Sequence, residues 1–144
     1  MRQIKFRVWD KISKKMYWFD LRWGGAGRQG SGWIYALPIG EELKSDFYNS
    51  DNRVTLDPCN CEFMQFTGLL DKNGKEIYDD DLIQNETGRI CKVKWCDAYS
   101  CWDAKPVNNI GNAFGFNCEV WRHCIEVIGN IYENAELFKE PLAK

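Results

Sequence analysis

The chain has 144 residues, a net charge of −2 and an aromatic share of 15%, including seven Trp and eight Phe. That length favours one domain, and rings that each bury roughly 150–250 Å² can fill its core without disulfides or metal. No apolar run approaches the ~20 residues of a membrane helix, and charges interrupt the opening MRQIKFRVWD, so membrane partners and a signal peptide are not expected and a cytoplasmic protein is.

Charge and cysteine content add two expectations. Residues 1–30 hold eight Lys/Arg against Asp10 and Asp20, a net of +6, while the remainder holds 11 Lys/Arg against 19 Asp/Glu, a net of −8. Such a split can steer an acidic partner or a second copy of the chain, so a homo-oligomer is expected. Seven Cys is an odd number, and without an export signal free thiols are the default.

In chain order, residues 3–9 alternate, with Ile4, Phe6 and Val8 on one face and Lys5, Arg7 and Trp9 on the other. That pattern predicts a strand with one buried face. A polar turn at Asp10–Lys15 and an aromatic run at Met16–Leu21 complete an N-terminal hairpin. Gly24–Gly32 reads as a loop, Trp33–Ile39 as a β run and Glu41–Tyr48 as a short helix. Asn49–Asn60 reads as loop with a strand at Val54–Leu56.

Phe63–Leu70 reads as a strand, followed by the turn Asp71-Lys72-Asn73-Gly74, whose Asn-Gly suits the positive φ angles of a tight hairpin. Leu82 and Ile83 start another strand. In Arg89–Cys96, Cys91, Val93 and Trp95 face one way and Lys92 and Lys94 the other. Asp97–Cys118 reads as a long excursion with one strand at most, and Glu119–Tyr132 as a final strand region. Asn134 is placed to cap a short helix through Ala135, Glu136, Leu137 and Phe138. Short strands and frequent turns predict a mostly β fold, a small partly open barrel with an N-terminal hairpin and a short C-terminal helix. One domain over 1–144 is expected, with an N-terminal lobe 1–60 and a core 61–138 as its internal division.

Three segments carry a family resemblance: Trp9-Asp10 with Lys14-Lys15-Met16, the stretch MQFTGLLDKNGKEIYDDDLI from Met64 to Ile83, and VIGNIYENAEL from Val127 to Leu137. In this order they resemble the YopX family of phage and prophage proteins across roughly the whole chain. The resemblance implies a β-rich fold and a phage setting, with no established activity, substrate, cofactor or catalytic residue. Two positions depart from the family pattern. Asp80 stands where the family usually has Gly, and a left-handed Asp costs about 1 kcal/mol. Ala135 stands where it has Pro, a good replacement in a first helical turn.

Several constellations invite a chemical reading. Gly25-Ala26-Gly27-Arg28-Gln29-Gly30 spells a dinucleotide fingerprint, but Ser31-Gly32-Trp33 does not open the helix that fingerprint needs. Cys59, Cys61, Cys91, Cys96, Cys101, Cys118, His123 and Cys124 supply enough ligands for zinc, yet no paired CxxC knuckle brings them together. His123 and Cys124, adjacent on a strand, would point to opposite faces and not form a nucleophile and base. Asp79-Asp80-Asp81 suits a divalent cation, but a solvated turn in which Asp81 bonds backbone amides fits it better.

The basic hairpin interleaves rings with charges: Lys5, Arg7, Trp9, Lys14, Lys15 and Tyr17. Stacking rings plus phosphate contacts suit single-stranded nucleic acid, while alternating Lys and Arg also keep an exposed strand face soluble. The sequence therefore leads to a phage accessory protein that binds a host or phage protein, with no cofactor. A nucleic-acid-binding module using that hairpin is the first alternative, and a metal-dependent enzyme using the acidic turn or the cysteines is the second.

Overall fold

The structure, a computed structural model, describes residues 3–19, 34–39, 53–108, 114–115 and 121–138. The glycine-rich loop, its GxGxxG and the helix expected at Glu41–Tyr48 lie outside those residues. The protein is mostly β, with two antiparallel sheets that are not closed into a barrel. The chain divides into two compact units, the first holding Gln3–Gln65 and the second Phe66–Lys144.

The first unit contains β1 (Phe6–Asp10), β2 (Lys15–Phe19), β3 (Ile34–Pro38), β4 (Val54–Leu56) and the first half of β5 (Cys61–Leu70), hydrogen-bonded in the order β4-β3-β2-β1-β5. The N-terminal hairpin is therefore present. Its turn is built by Asp10, whose carboxylate accepts the amides of Ile12 at 3.2 Å and Ser13 at 3.0 Å. Lys14 closes the turn in the left-handed region at φ 54° and donates its amide to Asp10 O. Burial pushes the Asp10 carboxyl up, but the Ser13 and Ile12 donors outweigh it and leave the group below its ordinary range.

Alternation in these strands gathers one core. Val8, Tyr17, Ala36, Leu56 and Cys61 are buried together, and Phe19, Ile34 and Val54 pack against them. The register explains the set, because Val8 lies opposite Tyr17, Ile34 opposite Leu56 and Ala36 opposite Val54. The other face of β1 departs from expectation. Arg7 and Trp9 are buried along with Met16, Leu37 and Met64, so β1 is covered on both faces. β1 lies between β2 and β5, and the Arg7 Nε donates to the Met64 sulfur at 3.4 Å.

The second unit holds the rest of β5, β6 (Glu76–Tyr78), β7 (Asp81–Asn85), β8 (Ile90–Cys96), β9 (Cys101–Pro106), β10 (Phe114–Gly115), α1 (Trp121–Cys124), β11 (Ile125–Asn130) and α2 (Ala135–Phe138). Its sheet runs β10-β9-β8-β7-β11. Ile77, Ile83, Cys91, Val93, Trp102, Ala104, Ile125 and Val127 form the core, with Leu69 packed against it. Cys91 and Val93 face inward as their spacing predicts, but Trp95 is 40% exposed. It sits near the end of β8 and meets Trp102 edge to face, with centroids 5.3 Å apart.

Three local expectations are corrected. The stretch read as an excursion with one strand at most contains two: β9, paired with β8 over its whole length from Cys96–Cys101 to Cys91–Pro106, and β10, paired with β9. His123 and Cys124 lie in the one-turn helix α1, not on a strand. Asn134 does not cap α2 with its side chain as expected. Its Oδ1 turns back to accept the Asn130 amide, and its backbone carbonyl accepts the Leu137 amide at 3.0 Å.

Candidate functional site

Two of the three segments that carry the resemblance, Met64 to Ile83 and Val127 to Leu137, are stitched together by Asp71. Its Oδ1 accepts the amides of Asn73 at 2.8 Å and Lys75 at 2.9 Å, and its Oδ2 accepts the Val127 amide at 2.9 Å. The Lys72 amide adds a bond to Ile125 O, and the Lys72 ammonium pairs with Glu126 at 3.1 Å. Burial raises the Asp71 carboxyl, but the amides of Val127, Lys75 and Asn73 outweigh it, so the group ionises below its ordinary range. Only Gly74 of this turn takes a positive φ, 80°, so the wider loop is wrapped around a carboxylate and is not the tight Asn-Gly hairpin expected from sequence.

The acidic triplet is a second knot. Asp80 adopts the left-handed conformation at φ 63°, in keeping with the Gly that the resemblance implies at its position. Its amide donates to Val93 O, and its carbonyl accepts the Ile131 amide. Its carboxylate accepts the Tyr132 hydroxyl at 2.9 Å and the Lys94 ammonium at 3.1 Å. Asp81 is fully buried and accepts the Tyr78 amide at 2.8 Å, the backbone role expected of it. Asp79 lies 3.4 Å from the Lys94 ammonium without an aligned hydrogen bond to its buried Oδ1. Burial, and then the Asp80 charge, push the Asp79 carboxyl up, although Lys94 opposes both. Burial lowers Lys94, but Asp80 and Asp79 hold its ammonium above the ordinary range.

The turn that follows β11 completes the network. Asn130 Oδ1 accepts the amides of Tyr132 and Glu133, and its Nδ2 donates to Glu133 at 2.7 Å. Gly129 is required here, because a Cβ would collide with the Asn134 side chain. Asp71, Asp80, Asp81 and Asn130 thus spend their oxygens on the fold itself.

The residues singled out on the N-terminal hairpin are divided by the structure. Lys14 and Lys15 are exposed and Lys5 is half-buried, while Arg7, Trp9 and Tyr17 are buried. The Tyr17 hydroxyl lies 3.3 Å from Ser13 Oγ. At these positions Lys14 and Lys15 face water, while Arg7 and the two rings do not. The described cysteines are free, and among the described residues no group of three or more His, Cys, Asp or Glu side chains is arranged to hold a metal. Burial pushes the Cys61 thiol up to about 11, with Asp10 and Asp57 adding to it, and burial also raises Cys91, so both are unreactive core thiols at neutral pH.

These features define a mostly β protein whose acidic turns lock its own strands. The family described as YopX protein matches residues 5–139, and the chain belongs to that family. No curated protein matches it in sequence. Among solved structures it is similar to the crystal structure of protein EF1440 from Enterococcus faecalis, at 22% identity and a TM-score of 0.52. That similarity covers 96% of this chain and 100% of the other, and it bears on the fold alone. Among the described residues no helix is long and apolar enough to cross a membrane.

Proposed function

We propose that this chain is a phage- or prophage-encoded accessory protein that works in the host cytoplasm by binding a host or phage protein, not by catalysis. The family's phage setting supports the first part. One observation carries the second: the carboxylates of Asp71, Asp80 and Asp81 are turned onto backbone amides, Tyr132 and Lys94, while the hairpin tips face outward. Each of two tips presents a large apolar residue, Ile12 between β1 and β2 at 73% exposure and Tyr99 between β8 and β9 at 82%. Apolar side chains held out on hairpin tips suit insertion into a partner's surface.

The test compares the chain with Ile12→Glu and Tyr99→Glu. A partner captured from host or phage lysate is purified and titrated against all three. At least one variant binds about tenfold more weakly or worse. Equal affinity for all three removes the reading.

A second reading rests on the exposed Lys14 and Lys15 at the turn of the β1–β2 hairpin. They offer phosphate contacts for single-stranded nucleic acid that work through charge alone, because Trp9 and Tyr17 are buried. Anisotropy of labelled single-stranded DNA at low salt tests it, and absence of binding there ends it. The charge split also supports self-association, in which the +6 segment of one copy meets the −8 remainder of another. Light scattering at low and high salt then gives a mass that falls as salt rises, and a salt-independent monomer rejects it.

A further inference from the structure

Cys96 ends β8 and Cys101 begins β9, and the antiparallel register sets them directly opposite each other. Direct partners in an antiparallel pair have Cα atoms ~4.5–5.5 Å apart, inside the ~4.4–6.8 Å that a disulfide needs. Their side chains leave the same face of the sheet. The next pair, Trp95 opposite Trp102, packs edge to face at 5.3 Å and holds this register. A slip of one residue would break both pairs. The turn Asp97–Ser100 closes with Ser100 left-handed at φ 50°, which brings the strand ends together without glycine. Both thiols are free and half-buried, in contrast to the core thiols Cys61 and Cys91.

We propose that Cys96 and Cys101 form a redox modification site, a cross-strand dithiol that closes to a disulfide by reducing a small-molecule disulfide of the glutathione class. One cysteine thiolate attacks a sulfur of the small disulfide. The old S–S bond breaks, a mixed disulfide forms, and one small thiolate leaves. The facing cysteine, as thiolate, then attacks the protein sulfur of that mixed disulfide. The Cys96–Cys101 bond forms and the second small thiolate leaves. Two electrons pass from the cysteine pair to the small disulfide, and the two protons released by the cysteines are taken up, through water, by the two departing thiolates. The bond staples the base of the turn that presents Tyr99, so oxidation fixes the ring that faces water.

The experiment treats the full chain with oxidised glutathione, alkylates the remaining thiols and locates every sulfur by peptide mass spectrometry. In the wild type Cys96 and Cys101 are joined to each other and carry no glutathione. In Cys96→Ser, Cys101 retains glutathione, and in Cys101→Ser, Cys96 retains it, because the resolving thiol is gone. The corresponding alanine variants, with native tryptophan fluorescence, repeat the result if a serine variant does not fold. Stable glutathione on either residue of the wild type overturns the proposal. So does alkylation of both as free thiols, or a bridge from either to a different cysteine.

Discussion

Two turns of the second unit handle buried carboxylates in opposite ways. Asp71 is surrounded by backbone donors, and its carboxyl ionises below the ordinary range. Asp79 is buried beside a second carboxylate and relies on one lysine from β8, and its carboxyl stays above that range. Amides fixed by the backbone hold an anion with no side-chain entropy to lose. A lysine that is partly exposed at 42% must order a long chain and is screened by water. One turn is thus stabilised by its own ionisation, and the other carries its charge at a cost.

The largest expected effect comes from removing the favourable member of this comparison. Asp71→Ala leaves three amides without their acceptor and lowers stability by about 3 kcal/mol in urea unfolding at neutral pH. Because the folded carboxyl is depressed, its contribution is complete above the unfolded value of about 4 and fades as pH falls through the folded value. The gap between wild type and Asp71→Ala therefore narrows on acidification, and a gap constant from neutral pH to pH 3 contradicts the assignment.

Lys94→Met has the next effect. It leaves Asp79 and Asp80 without their shared cation, and stability falls by about 1–2 kcal/mol. In the same variant the Asp79 carboxyl moves further up in an NMR titration, since Lys94 opposes its upward shift. An unchanged or lower value would falsify the coupling.

The smallest effect has the opposite sign. The folded Asp79 carboxyl is raised, so its contribution is complete below the unfolded pKa and is lost as pH rises through the folded one. Asp79→Asn is therefore more stable than wild type by about 0.5 kcal/mol at pH 7 and shows no such gain at pH 3. Thermal unfolding at the two pH values decides it, and a loss of stability at pH 7 merges the two turns into one class. Asp80→Asn sharpens the point, because removing that neighbouring charge lowers the Asp79 carboxyl.

Much of the fold was legible where local chemistry decides it. The alternation of residues 3–9, the run at Val54–Leu56 and the turn after Leu70 lead directly to strands and a loop that the structure contains. One strand was allowed for after Asp97, but the place of β9 was not legible, because the turn before it, Asp97–Ser100, holds neither Gly nor Pro and its left-handed residue is a serine. Burial of Arg7 and Trp9 was hidden for a different reason. Alternation ranks the two faces of a strand by apolarity and is silent on whether the second face is covered. The acidic turn was recognised as a turn, but its cation is 14 residues away from Asp80 on a neighbouring strand, beyond the reach of local pattern. Asn134 fits a cap by type and position, and only the tertiary contact with Asn130 diverts its side chain.

The hydrogen bond from Val127 to Asp71 joins residues 56 positions apart. Contacts of such separation close late in folding, after local hairpins have formed, because loop entropy must be overcome first. The Asp71 turn can gather Asn73 and Lys75 as soon as it is made, but its third donor arrives only with β11. Until then the lower edge of β7, where β11 pairs, is an open row of peptide groups. The Asp71 carboxylate therefore acts as a latch that registers the arrival of β11, and its protonation state sets how firmly that latch holds the chain against unzipping from this edge.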